Sequence, residues 1–302
     1  MGSGIILQPL DIEHIDTWLD IHRSVYSRYP WPKRIEQSDV EELLDSPEKQ
    51  VIMALTEGDV FGIAVLQGES DSDIITLKDF SARNSAAELV DAFLEKLISI
   101  ARELGARKIN TWMWSSEEEL LTALMQDGFV VELEHSLVSR NLTIIPVSEP
   151  VNNLEIHSLS DRVSIADFVK CNRKAFKEDP SRPLEESELE DWITNSEGFH
   201  PEFQLVAILD GEIVGTVMSE MTTHQNSSIA WTHGLGVLKE YRRRDIASNL
   251  LTELMIRLRK RGVNALWLFT DTIGPIREFY DSLGFTQYVN WMDMNLDLYA
   301  ES

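Results

Sequence analysis

Cysteine is almost absent: Cys171 is the single thiol in 302 residues. No internal disulfide can form, and no Cys/His or His/His spacing suits a metal site. No apolar run approaches the roughly 18 residues a membrane span requires, and Ile5-Ile6-Leu7 lacks the length and basic flank of a secretory signal. Basic residues are scarce, 27 Lys and Arg against 51 Asp and Glu, which leaves a formal net charge of −24. That charge repels nucleic acid and anionic membrane surfaces and suits a cationic or amine-bearing ligand. A Gly-x-Ser-x-Gly elbow and a Walker loop are both missing. What remains is a globular chain, expected in the reducing cytoplasm as a monomer or homodimer, without nucleic-acid or membrane partners.

The apolar pattern is written twice. Val51 to Leu55 and Val60 to Val65 flank a Gly58 turn, and Leu205 to Leu209 and Ile213 to Gly215 flank Gly211. Gly62 recurs as Gly215, the helix-ending Gly105 as Gly262, and Gly128-Phe129 as Gly284-Phe285, all at a nearly constant offset. Such spacing signals a tandem duplication. Its boundary is expected in Thr143 to Asn153, where Pro146, Ser148 and Pro150 interrupt the periodicity, giving domains 1–148 and 149–302. Each half reads as a mixed α/β (α+β) domain, a twisted and mainly antiparallel sheet flanked by helices.

The second half holds the chemistry. Leu235-Gly236-Val237 closes an apolar strand, and Ile246, Leu250, Leu254 and Leu258 recur as a helical stripe. Between them stands Arg242-Arg243-Arg244-Asp245. A basic turn at a helix N-terminus, where amides and dipole favour an anion, is a phosphate cradle. Downstream, Pro275 fits a first helical position, Gly284 ends that helix, and Ile276, Phe279, Tyr280 and Leu283 share a face.

Arg242-x-x-Asp245-x-Ala247 resembles the acyl-CoA loop of the GNAT N-acetyltransferase superfamily, Arg/Gln-x-x-Gly-x-Gly/Ala, with Asp245 at the loop glycine. Gly274 to Phe285 resembles that family's later motif, Asn-x-x-Ala-x-x-x-Tyr with Gly-Phe following, with Gly274 and Ile276 replacing Asn and Ala. The resemblance implies two tandem acyl-CoA N-acyltransferase domains and transfer of an acetyl group from acetyl-CoA to a primary amine of a small molecule. It implies that Leu235, Gly236 and Val237 run beside the pantetheine arm. The amides of Arg243, Arg244, Asp245, Ile246 and Ala247 would face the diphosphate, with the guanidinium groups of Arg242 to Arg244 nearby. It makes Tyr280 the general acid toward the departing thiolate. His233 and Glu220, on neighbouring strands, are both candidates for the base. The first half has Leu77 to Ala86 at the loop position, without glycine or an arginine run, and Leu124 where Tyr280 stands. It reads as a degenerate copy, a layout similar to tandem acetyltransferases such as mycothiol synthase. Trp31, Trp192 and Trp231 either line the acceptor pocket or fill cores, with cores the preferred reading, and His224 reads as a hairpin tip. A catalytically silent acyl-CoA-binding protein is the alternative reading.

Overall fold

The computed structural model describes residues 4–30, 35–68, 72–83, 86–161, 163–177, 186–196 and 198–299. In chain order the elements are β1 (Ile6–Pro9), α1 (Ile15–Tyr26), α2 (Gln37–Leu44), β2 (Lys49–Thr56), β3 (Asp59–Gly68), β4 (Ile74–Ala82), α3 (Ala87–Glu103), β5 (Lys108–Trp114), α4 (Glu118–Gln126), β6 (Val130–Asn141), β7 (Leu154–Ser158), α5 (Ile165–Ala175), α6 (Glu186–Asn195), β8 (Leu205–Leu209), β9 (Glu212–His224), β10 (Ser227–Val237), α7 (Ile246–Lys260), β11 (Ala265–Asp271), α8 (Pro275–Ser282) and β12 (Thr286–Asp297). Among the described residues, no helix is long and apolar enough to cross a membrane.

The chain forms two compact units, 1–136 with 289–302, and 137–288. This grouping by contact differs from the 148/149 division read from the repeat. The reason is strand pairing: β12 lies antiparallel to β5, with Trp291 opposite Trp114 and Leu296 opposite Ile109. Most of β12 therefore belongs with the amino-terminal sheet, and β6 passes from the first unit into the second.

In the first unit the strands run β1-β2-β3-β4-β5-β12-β6. The β2–β3 hairpin turns through Glu57 and Gly58, both at positive φ, as the Gly58 turn predicts. Helix α3 buries Val90, Phe93, Leu94, Leu97, Ile98 and Ala101 against this sheet. Gly62 is where α3 comes closest, because a Cβ there would lie 2.7 Å from the Phe93 ring. Strands β4 and β5 are parallel, but their pairing stops at Leu77 opposite Thr111.

Over the other face, Tyr26 and Tyr29 are enclosed. Burial, followed by the Asp79 charge, holds the Tyr26 phenol well above its usual range, and burial likewise raises that of Tyr29. A raised phenol favours the folded state below the ordinary ionisation near pH 10 and loses that advantage as pH climbs through the raised value. Phenolate absorbance from these two tyrosines is therefore expected only together with unfolding. Difference titrations of Tyr26→Phe and Tyr29→Phe check this, and a reversible signal near pH 10 from either residue in folded protein would contradict it.

In the second unit the strands run β6-β11-β10-β9-β8-β7. The hairpin turns through Asp210 and Gly211, again both at positive φ. The bulge at Ala54/Leu55 of β2 returns at Ala207/Ile208 of β8, so the repeat extends to an irregularity. Helix α7 buries Ile246, Leu250, Leu251, Leu254, Met255 and Leu258, the stripe that its spacing predicts. Arg243 has φ 60° and Asp245 φ 57°, so helical geometry begins at Ile246, where the stripe opens.

Candidate active site

Strands β10 and β11 pair in parallel only over Ile229–Trp231 and Ala265–Trp267. Beyond them the strands part, and β10 keeps its other neighbour, β9, through to Val237 opposite Gly215. Parting releases one row of β10 backbone N–H and C=O groups from their sheet partner. Polar backbone groups need new partners, so an opened parallel pair is a place for an extended ligand. Just there the register of β10 against β9 slips between Thr232 and Gly234, leaving His233 as the extra residue. Such a bulge re-aims the side chain it carries.

His233 is aimed at Glu220 of β9. Its Nε2 lies 2.9 Å from Glu220 Oε2, and each side chain is 17% exposed. With Nε2–H donating to the carboxylate, Nδ1 carries the lone pair of the neutral ring. Trp192 from α6 stands edge-on to the imidazole at 4.9 Å, and Phe199 lies at 5.7 Å. The segment before Phe199 crosses Glu220 closely: Gly198 O accepts from Met221 N at 2.7 Å, and a Cβ on Gly198 would collide with the Glu220 side chain. The two base candidates thus form one hydrogen-bonded pair in an aromatic box. Trp192, partly buried and packed against the core cluster that holds Phe168 and Phe199, is also a wall of that box. Trp231 is core, at 2% exposure, and Trp31 lies outside the described residues. His224 ends β9, followed by Gln225 and Asn226 at positive φ, as a hairpin tip should be.

At the far end of β10 the basic turn leads into α7. Asp245 holds the left-handed conformation that the family glycine would adopt, one Asp tolerates. Its side chain caps nothing. No acidic residue lies in the first turn, and among the described residues no acceptor meets the amides of Ile246 and Ala247. Amides left this way at a helix start are of the kind that can receive an anion. The three arginines divide. Arg243 is exposed and makes no side-chain bond among the described residues, and Arg244 rests over the Tyr241 ring at 5.5 Å. Arg242 is committed elsewhere, Nε donating to Val237 O at 2.9 Å and Nη2 to Ala175 O at 3.0 Å. It clamps the end of α5 to the end of β10, so two of its nitrogens are engaged by carbonyls.

Leu235 is half-buried and Val237 buried at the close of β10. Gly236 leaves space, but Phe176 fills it: a Cβ would lie 2.7 Å from that ring and 2.9 Å from Ala175 Cβ. The close neighbours there are Ala175, the last residue of α5, and Phe176 just after it. Tyr280 projects from α8 into the second core, 8% exposed, edge-on to Phe279 at 5.1 Å and Phe285 at 5.5 Å. Gly274 caps α8 with φ 97°, Pro275 is its first residue, and Gly284 follows at φ 76°. Ile276 is 54% exposed, so it does not share the buried face expected of it.

A strand pair that parts beside a bulge, followed by an open helix start, is a sequence pattern as well as a shape. Residues 167–285 match the Acetyltransferase (GNAT) family. The GNAT match thus runs from within α5 through α8 and includes every candidate site residue. Over 90 residues the chain is 29% identical to N-alpha-acetyltransferase 30 of Schizosaccharomyces pombe, a stretch covering 29% of this chain and 60% of that relative. The likeness extends further in three dimensions. A GCN5-related N-acetyltransferase from Sphaerobacter thermophilus superposes with a TM-score of 0.71 over 97% of this chain and 96% of its own, at 17% identity. A tandem GNAT protein from the clavulanic acid biosynthesis pathway, in a structure without AcCoA, gives 0.69 over 99% and 100% at 12% identity. The fold is the tandem GNAT fold.

Proposed function

We propose that this chain transfers an acetyl group from acetyl-CoA to a primary amine of a small molecule, and that the reaction is run by the second unit. The observation that carries the reading is the parting of β10 from β11 at a bulge that presents the Glu220–His233 pair. The residues fit the donor at the backbone: released polar groups along β10, then unmet amides at Ile246 and Ala247 beside Arg243 and Arg244. Acetyl-CoA, when bound, supplies an activated acyl carbon and a thiolate leaving group. The acceptor nitrogen must arrive uncharged, and His233 Nδ1 takes its proton, directly or through one water, while Glu220 fixes the ring and stabilises the imidazolium. A β10 amide polarises the acyl oxygen. Tyr280 returns a proton to the sulfur. The result is a new C–N bond, a broken C–S bond and a free thiol.

Two experiments divide this reading from its rival, a silent acyl-CoA-binding protein, which the exposed Asp245 carboxylate favours. Thermal shift with CoA measures donor binding, and thiol release is then screened over polyamines, aminoglycosides, amino acids and peptides. Stabilisation without release supports the silent protein, and no stabilisation removes both. Asp245→Gly deletes a charge from the anion site, a change of roughly 1 kcal/mol or more at a few ångströms. CoA affinity is expected to rise at least about fivefold in calorimetry, and unchanged or weaker binding would place the carboxylate away from the anion. Tyr280→Phe is expected to lower turnover by about 100-fold with CoA affinity within twofold. Undiminished thiol release would leave Tyr280 a packing residue.

A further inference from the structure

The strap that joins β6 to β7 carries apolar side chains that it does not bury: Val147 is 96% exposed and Ile144 74%. The strap is nonetheless held at both ends. Arg140 Nη2 donates to Ile144 O at 2.8 Å. Ser148 Oγ donates to Asn249 Oδ1 of α7 at 3.1 Å, and Asn249 Nδ2 donates to Glu149 O at 2.9 Å. Between these ties Ile145 packs on the core of the second unit. Strap and helix enclose a trench of about 580 Å³, a size that suits a small organic molecule.

The strap side of the trench is Ile145, Pro146 and Val147. The helix side is Thr252 and Ile256, followed one turn on by Arg259 and Lys260, a spacing that keeps all four on one face of α7. Thr252 is 7% exposed, and its hydroxyl has no hydrogen-bond partner among the described residues. A hydroxyl covered but unbonded marks a floor that the chain's own groups leave incomplete. The charge is one-sided. Arg257 is engaged by Glu253 at 2.8 Å, whereas Arg259 and Lys260 are exposed and meet no carboxylate among the described residues. No acidic side chain lines the trench, in a chain of net charge −24. Cations in a last helical turn suit the dipole, but the dipole gives no reason for an adjoining apolar trench or for Val147 in solvent. A ligand cation would be repelled here. A neutral apolar molecule would leave both charges unused, and an inorganic anion would leave the walls bare.

We infer that this trench binds an aliphatic carboxylate, its hydrocarbon body laid on Pro146, Val147 and Ile256 and its charge met by Arg259 and Lys260. Lys260 lies about 20 Å along the helix from Ile246, so the site is separate from the start of α7 and does not depend on the transfer reaction proposed above.

The test is NMR of the intact, methyl-labelled chain titrated with octanoate, with octanol as its neutral counterpart and acetate as the anion without a body. The Ile145, Val147 and Ile256 methyl signals are expected to shift saturably with octanoate, and both controls to bind at least tenfold more weakly. Arg259→Gln with Lys260→Gln changes two exposed side chains, and the pair is expected to keep the fold and weaken octanoate at least tenfold. Arg243→Ala, at the other end of α7, is expected to leave the affinity within twofold. The inference is overturned if no saturable shift occurs, if either control matches octanoate, if the folded double variant titrates like the parent, or if Arg243→Ala alone removes binding. Shifts of the same methyls with protein concentration alone would make a second copy the occupant and overturn it as well.

Discussion

Glu220→Gln is expected to lower kcat about 100-fold while the thermal shift with CoA stays within a degree or so of the parent. The amide keeps the size of the carboxylate but can present its N–H₂ to the imidazole, so the tautomer with its lone pair on Nδ1 is no longer enforced. Nor does it stabilise the imidazolium that forms when the amine gives up its proton. A positioned general base is worth roughly 10²–10⁴-fold, and in the proposed reaction that base is His233, whose Nε2 lies 2.9 Å from Glu220 Oε2. His233→Asn should cost as much or more, and the double variant little beyond the worse single, because the two act as one unit. Multiplying losses would mean separate roles. If Glu220→Gln releases thiol at the parental rate, the pair is structural and the proton leaves by another route.

Gly236→Ala is expected to destabilise the second unit by about 1–3 kcal/mol, the usual range for forcing an extra methyl into a packed site. The added Cβ would meet the Phe176 ring at 2.7 Å and Ala175 Cβ at 2.9 Å, so α5 or β10 must move. Either movement disturbs the Arg242 clamp, whose guanidinium spans Val237 O and Ala175 O. Activity should fall with stability, because β10 carries His233. Phe176→Leu in the same chain should restore at least half of the lost stability in urea unfolding. A harmless Gly236→Ala, or a double variant no better than the single, would show that the ring is not held against the strand.

Local chemistry makes much of this architecture legible in the sequence. The glycines at 58, 211, 274 and 284 all take positive φ, the conformation that their turn and cap roles require. Helices α3 and α7 bury the faces that their periodicity marks. What stayed hidden depends on pairing and distance along the chain. The bulge at His233 leaves no trace in an alternating pattern, so His233 and Glu220 read as competing candidates instead of a bonded pair. Trp192 is forty-odd residues from His233, and nothing in its own helix marks the ring it faces. A run of three arginines does not tell which of them turns back toward carbonyls, as Arg242 does. The neighbour of β12 was equally unreadable, since apolar alternation names a face and never a partner.

That last pairing has a consequence for biosynthesis. The strand that lies along β5 is synthesised after every residue of the second unit. Until then β5 presents an unsatisfied edge, an aggregation hazard of the kind nascent chains must manage. A ribosome stalled near residue 285 should therefore display an amino-terminal half that is collapsed but still open to protease, and releasing the final strand should close it within one cooperative step.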